Sequence, residues 1–346
     1  MSEQPPLFRR YPALAEAVPW LSLGRFPTPL EPLPLAGEGE TWVKRDDLSG
    51  GPYGGNKVRK LEFLLADALR AGAGRLITAG ALGSHHALAT AVYGRQLGLR
   101  VTLVLFPQLV TSHVRDVLLA AAAAGAEFRF VPRMELVPGA LLALRWATRS
   151  ERGYVIPPGG SNALGTLGYV NAALELAEQL AAGAAPVPRE IHVAAGTLGT
   201  AAGLAIGLEL AGLASRVAAT RITGRIVTNE RALARLVRGA LVLLQPVVRF
   251  DPDAATRRVE IRHRQIGSGY GRETPASRAA TSRFESLGLR LDPTYTAKAA
   301  AELLASPGAG PRLFWHTLSA VEPPRAAGPD IEQALPPRIR ELLDAA

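Results

Sequence analysis

The chain has no cysteine, two methionines and only four lysines in 346 residues. Without cysteine there is no disulfide framework, no thiolate nucleophile and no cysteine-ligated metal. No apolar run reaches the ~18 to 20 residues that a membrane-spanning helix needs. The opening stretch MSEQPPLFRR lacks the apolar segment of a secretory signal. These absences lead us to expect a cytoplasmic protein that is not in a membrane. Aromatic residues make up 6% of the chain and form no base-stacking motif, and the arginines that dominate its +9 charge are scattered among apolar residues. A nucleic-acid partner is therefore not expected, whereas small anionic ligands suit such a surface.

Short β-rich runs alternate with longer helical patterns, which implies βαβ units around mainly parallel sheets. RLITAG, RVTLVLF, EFRFV and YVIPP are expected strands, with helices between them, and EIHVAAG and RVAATRI resume the pattern after the turn-rich stretch PPGGSNALG. The reading is an α/β fold of two domains, each an open twisted sheet with helices on both faces. We expect residues 1–50 and 162–346 to form the larger domain and residues 51–161 a smaller one. Trp146, Trp315 and the apolar segment LARLVRGALVLL are expected in the core.

Two of the four lysines fall within GGNKVRKLE. Lys57 follows a Gly-Gly-Asn turn and opens a helix whose apolar face is marked by Leu61, Leu64, Leu65 and Leu69. Lys57 falls beside that face, while Arg59 and Glu62 are expected to turn outward. An inward lysine loses solvation of its ammonium form, which lowers its pKa and leaves an amine able to form a Schiff base; a solvated first-turn lysine is the ordinary alternative. AAGTLGTAAGL reads as a strand end, a glycine-containing turn and a helix start. There Gly196, Thr197, Leu198, Gly199 and Thr200 can direct N–H groups and hydroxyls at an anion. Its spacing differs from the dinucleotide fingerprint, and no acid follows at the distance that fingerprint requires. In TAGALGSHHALATA, Ser84 is a helix cap or a cleft-facing hydroxyl. His85 and His86 are adjacent, so a helix points only one of them at any site. No histidine spacing matches a metal motif, and no metal is expected.

Taken together, KRDDLSGGPYGGNKVRKLEFLL, GALGSHHALATA, PPGGSNALGTLGYVNAALEL, AAGTLGTAAGLAIGLE, GYGRETP, DPTYTAKA and LFWHT resemble the pyridoxal-phosphate-dependent group containing D-cysteine desulfhydrase and 1-aminocyclopropane-1-carboxylate (ACC) deaminase, of the tryptophan synthase beta-like fold type II. The matches run in order from Lys44 to Thr317. The resemblance implies an enzyme with pyridoxal 5'-phosphate as cofactor, a small amino acid as substrate and a homodimeric state. By the same token Lys57 would hold the cofactor and move protons at the substrate carbon, and Gly196 to Thr200 would bind its phosphate. Ser84 would lie near the substrate carboxylate or act as a base, and Tyr270 and Tyr295 would be the two active-site tyrosines. Asn56 would sit beside the cofactor, and Thr296 or Thr317 would face the pyridine nitrogen.

Thr296 follows the second tyrosine where ACC-cleaving relatives commonly carry glutamate, which favours β-elimination from a D-amino acid such as D-cysteine over ACC deamination. The chain departs from the family pattern in three places. His85 replaces an asparagine beside the cofactor's 3-hydroxyl, Ala201 replaces a common histidine, and Leu318, Ser319 and Ala320 replace glycines after His316-Thr317. These departures also suit a protein that holds the cofactor with little turnover.

Overall fold

The computed structural model of the protein describes residues 4–35, 39–245, 247–306, 308, 310–323 and 329–345. The chain is α/β and divides into two compact units, the first formed by Met1–Phe63 and Ser161–Ala320, the second by Leu64–Gly160 and Val321–Ala346.

The sheet of the first unit comprises strands β1 (Leu30–Pro32), β2 (Thr41–Lys44), β7 (Glu190–Ala195), β8 (Arg216–Arg221), β9 (Val259–Arg262) and β10 (Arg312–Trp315). Its order is β1-β2-β10-β7-β8-β9, with β1 antiparallel to β2 and every other pair parallel. Both faces are covered, as parallel sheets require. On one face the helices Ala163–Ala181, Gly199–Ala211 and Glu230–Leu244 pack on one another. On the other, the helices Pro275–Glu285 and Thr296–Leu304 pack together, and the second of these lies against β7 and β8. Strand alternation divides the core accordingly: Leu313 and Trp315 of β10 join one apolar cluster, and Phe314 between them joins the other. The second unit holds β3 (Arg75–Ala81), β4 (Arg100–Phe106), β5 (Glu127–Phe130) and β6 (Tyr154–Val155) in the all-parallel order β5-β4-β3-β6. β3 is buried along its whole length, and Ile77, Ala79, Val104, Val137 and Leu141 form a core on one side.

A charge cluster lies in the middle of the first unit. Arg59 donates to Asp46 (2.7 and 2.9 Å) and to both oxygens of Glu175 (2.9 Å each), while Lys44 donates to Glu175 (2.5 Å) and Gln179 (2.8 Å). Tyr169, Trp315 and Thr28 donate the remaining bonds to Asp46 at 2.6, 2.7 and 2.9 Å. Each of the four charged residues is at most 2% exposed. Two cations therefore balance two anions with their hydrogen bonds made, the condition under which buried charge is tolerated.

This cluster corrects two expectations. Arg59 does not turn outward, and neither does Glu62, which is 2% exposed and accepts from Leu23 N, Gly24 N and Trp20 Nε1 at 3.0 to 3.2 Å. Because both anchor the first two turns of the Asn56–Arg70 helix within the first unit, the division falls inside that helix and not at residue 51. Lys57 thus belongs to the larger unit. Residues 321–346 belong to the smaller one, where the Pro329–Gln333 helix meets the Ser112–Ala123 helix and Arg115 pairs with Glu332. Trp315 is fully buried as expected, but Trp146 is 69% exposed, on the outer side of the Val137–Ala147 helix with Leu142 one turn before it.

Replacing Glu175 by alanine leaves Lys44 and Arg59 buried with a single carboxylate between them, a change that costs about 3–5 kcal/mol where one partner of a buried pair is lost. Urea denaturation should show a correspondingly lower midpoint; a midpoint equal to that of the wild type would contradict the role given to this cluster.

Candidate active site

In the first unit, the site residues sit beyond the carboxyl ends of parallel strands, where open α/β sheets bind ligands. Gly196 follows β7 directly, and Thr317 comes two residues after β10. Between β2 and Lys57 the chain makes a tight return. Gly55 has a φ of +85°, and a side chain there would come within 2.7 Å of Thr317 O, so this position needs glycine on both counts. Asn56 N donates to the same carbonyl at 3.1 Å, and Asn56 Nδ2 donates to Thr200 Oγ1 at 3.4 Å. The lysine turn is thereby tied both to the strand end carrying Thr317 and to the glycine-rich turn.

Lys57 opens the Asn56–Arg70 helix and is half-buried, and its amine makes no hydrogen bond to any described residue. Burial lowers its pKa to about 8 against an opposing pull from Asp292. A lysine in that state supplies neutral amine near physiological pH, as a covalent anchor or a proton acceptor must.

The glycine-rich turn has the form of an anion cradle. Leu198 has a left-handed φ of 64°, a conformation that costs an ordinary residue about 1–2 kcal/mol, immediately before the helix Gly199–Ala211 begins. Thr197 Oγ1 lies 2.6 Å from Ser161 Oγ, which accepts from Lys60 Nζ at 3.1 Å. A Cβ on Gly199 would stand 2.6 Å from that serine oxygen and 2.8 Å from Lys60 Nζ, so the ammonium reaches the turn itself. Lys60 is 2% exposed; its burial, together with the charge of Lys57, pushes its pKa well down. A bound phosphate would place an anion beside this amine. A helix start with its open N–H groups, a hydroxyl pair and the Lys60 amine lie together there, and the residues fit the cofactor that the sequence pattern implies.

Tyr270 and Tyr295 face each other, hydroxyl to hydroxyl at 2.6 Å, with their rings in a T-shaped arrangement 6.0 Å apart. Burial raises the pKa of Tyr270 to about 12 and that of Tyr295 well above its ordinary value, so both are protonated at neutral pH. Tyr295 Cε1 also lies 3.8 Å from where a Cβ on Gly196 would stand, which puts the pair beside the cradle. Lys298 donates to Ile266 O (2.9 Å) and Gly269 O (3.2 Å) and so secures the loop that carries Tyr270. Asp292 fixes the other side. Its carboxylate accepts from the backbone N–H groups of Thr294, Tyr295 and Thr296 at 2.7 to 3.0 Å and from Thr296 Oγ1 at 2.6 Å. The Thr296 hydroxyl also accepts from Asp292 N at 2.7 Å, so both of its roles are committed. Thr317 makes no side-chain bond to a described residue, so its hydroxyl, unlike that of Thr296, is uncommitted.

The second unit carries Ser84 and His85. Ser84 caps the His85–Gln96 helix, accepting from Ala87 N at 3.2 Å, so the local structural role is realised. His85 Nε2 meets His113 Nε2 at 3.0 Å, whereas His86 turns inward to Thr78 Oγ1 at 3.0 Å. In the first unit, Ala201 is buried inside its helix, and Ser319 uses its extra hydroxyl to accept from Gly54 N at 2.9 Å.

Lys60, Ser161 and Asp292 are not anticipated by the sequence reading. Lys60 lies three residues after Lys57, hence on the same side of a helix. Asp292 heads DPTYT with the spacing of an Asx turn. Ser161 carries no signal beyond its turn-rich surroundings.

Fold and site together define a pyridoxal-phosphate enzyme of fold type II. Residues 21–312 match the family model described as "Pyridoxal-phosphate dependent enzyme", and the chain belongs to that family. It is 38% identical to nocardicin C-9' epimerase of Nocardia uniformis subsp. tsuyamanensis over 90% of this chain and 96% of that one. It is also 38% identical to D-cysteine desulfhydrase of Klebsiella pneumoniae strain 342, over 86% and 93% of the two chains. Among solved structures, an ACC deaminase homologue superimposes with a TM-score of 0.77 at 32% identity, covering 96% of this chain and all of that one.

Gly199→Ala should weaken pyridoxal phosphate binding at least tenfold in an absorbance titration while leaving the melting temperature near that of the wild type; unchanged affinity would remove the turn from the phosphate site. In the cofactor-free protein, the rate at which Lys57 reacts with an amine reagent should rise with pH through a midpoint near 8. A midpoint near the ordinary lysine value would show that burial does not activate it.

Proposed function

We propose that the chain catalyses β-elimination from a small D-amino acid of the D-cysteine type, which with one water yields pyruvate, ammonia and sulfide. The observation that carries this reading is the lowered pKa of Lys57 in the same unit as the Gly196–Thr200 cradle and the protonated Tyr270–Tyr295 pair. Pyridoxal phosphate, once bound, supplies the electron sink for the pair left behind at the substrate Cα.

Lys57 would hold the cofactor and, when its amine is released, take the Cα proton. Lys60, Ser161 and Thr197 would fix the phosphate with the backbone of the turn. Asn56 would hold the lysine loop against Thr200, and Thr317 would meet the pyridine nitrogen with a neutral hydroxyl. Because both phenols keep their protons at neutral pH, Tyr270 and Tyr295 suit donation to the leaving thiolate better than proton removal. Thr296 would act through Asp292 and not by touching the cofactor. Ser84 is assigned to the substrate carboxylate and His85 to the cofactor's 3-hydroxyl on the family resemblance.

A second reading, epimerisation at the same carbon, is favoured by the similarity to an epimerase over most of the chain. Deamination of ACC is a third, favoured by the structural likeness to an ACC deaminase homologue. We take the active form to be a homodimer in the cytoplasm. The exposed pair Leu142 and Trp146 supports a contact between protein chains, and light scattering at the mass of one chain would remove that assignment.

The reconstituted protein should release keto acid and ammonia from D-cysteine, and Lys57→Ala should abolish release. D-serine, L-serine and ACC serve as comparison substrates. Release from ACC alone would replace elimination by deamination. Deuterium uptake at Cα with recovery of the inverted amino acid, and no keto acid, would establish epimerisation instead. Cofactor binding without any of these products would leave a protein that only holds the cofactor.

A further inference from the structure

Arg221 ends β8 directly beside Ala195 of β7, one residue before the cradle begins. It is 8% exposed. Its Nε donates to His263 Nδ1 at 2.8 Å and its Nη1 to Thr223 O at 2.7 Å. No carboxylate among the described residues pairs with it. Arg59 and Arg75, buried to a similar degree, each face two carboxylates at 2.5 to 2.9 Å. A guanidinium has five N–H groups, and the two bonds account for two of them. The remaining N–H groups are not sealed from solvent, so they are open to an anion that can take up this fork of donors.

The surroundings add positive charge. The charge of Arg225, exposed in the loop after β8, lowers the pKa of both Arg221 and His263, and the exposed Glu230 opposes it at His263. This loop is also attached to the cradle. Thr228 Oγ1 donates to Gly196 O at 2.5 Å and lies 2.5 Å from Thr223 Oγ1. Ile222 Cδ1 and Thr223 Cγ2 stand 3.4 and 3.7 Å from the place a Cβ on Gly196 would occupy. An anion on Arg221 would therefore lie one side chain away from the glycine-rich turn, on the unit that carries Lys57.

The geometry points to a carboxylate subsite formed by Arg221, Arg225 and His263, and hence to a substrate that carries a second acidic group on its side chain. The inference rests on the reading of the chain as an amino-acid-processing enzyme and narrows its substrate class. A carboxylate suits the guanidinium because it accepts two parallel N–H bonds. The turn would supply the cofactor's phosphate with donors of its own, which would leave this guanidinium for another anion.

The test compares S-carboxymethyl-D-cysteine with S-methyl-D-cysteine, which differ by the acidic group. Dissociation constants are measured calorimetrically on the holoenzyme, and pyruvate release is followed separately. The wild type should bind the carboxymethyl compound at least tenfold more tightly, and this preference should shrink severalfold in Arg225→Gln and vanish in Arg221→Gln. Should Arg221→Gln not fold, the exposed Arg225→Gln decides. Equal affinities in the wild type, or a preference untouched by Arg225→Gln, would overturn the subsite. Competition by free succinate as strong as that by the carboxymethyl compound would mean that the site takes a free anion, which overturns the assignment to the substrate. Charge-selective binding without pyruvate from either compound would count against elimination and leave the subsite standing, whereas pyruvate from both without charge preference would do the reverse.

Discussion

The arrangement depends on the neutralisation of four buried charges, Lys44, Asp46, Arg59 and Glu175. They come from β2, from the segment that follows it, from the helix Asn56–Arg70 and from the helix Ala163–Ala181, so their mutual attraction fixes where the lysine helix begins. Arg59 is two residues from Lys57 and one from Lys60. Any shift of its guanidinium would displace both amines. In a low-dielectric interior such a cluster has few alternative arrangements, because each wrong pairing leaves a charge or a donor unsatisfied. Burial also keeps water from the neighbouring lysines, and the resulting loss of solvation lowers their pKa values.

The site divides its work by charge. The Lys60 amine approaches the glycine-rich turn at Gly199, while the neutral phenols lie beside Gly196 of the same turn and next to Asp292. Asp292 spends its hydrogen bonds on the chain that presents Tyr295, and from that position it tempers the fall in the Lys57 pKa. Lys298 does the matching service for the Tyr270 loop. Lys44 and Lys298 are thus held by specific bonds, and Lys57 and Lys60 lie at the candidate site. Arginine keeps its charge when buried, and the chain reserves lysine for places where a compact ammonium or a neutral amine is needed.

Much of this was legible in the sequence. The six β-rich runs RLITAG, RVTLVLF, EFRFV, YVIPP, EIHVAAG and RVAATRI are strands, because buried parallel strands consist of continuous β-branched and apolar residues. β1, β2, β9 and β10 were less visible: β1 contains a proline, β2 ends in a buried lysine and β9 alternates with charged residues, so each depends on tertiary partners more than on its own pattern. Helical periodicity misassigned Arg59 and Glu62, since period alone sends charged residues to solvent and cannot see distant partners: the Glu175 carboxylate for Arg59, and the N–H groups of Trp20, Leu23 and Gly24 for Glu62. The same limit hid Lys60, Ser161 and Asp292, whose roles exist only once distant turns converge. Trp146 shows the converse, a large apolar residue whose helix presents it outward.

Lys57, and no other lysine of the chain, is the amine proposed to hold the cofactor. Borohydride reduction of the reconstituted protein followed by peptide mass spectrometry tests it directly, because only Lys44, Lys57, Lys60 and Lys298 compete. A pyridoxyl group on Lys57 alone is the predicted result. Labelling of Lys60 in its place, or no labelled lysine in a protein that retains the cofactor, would contradict the account.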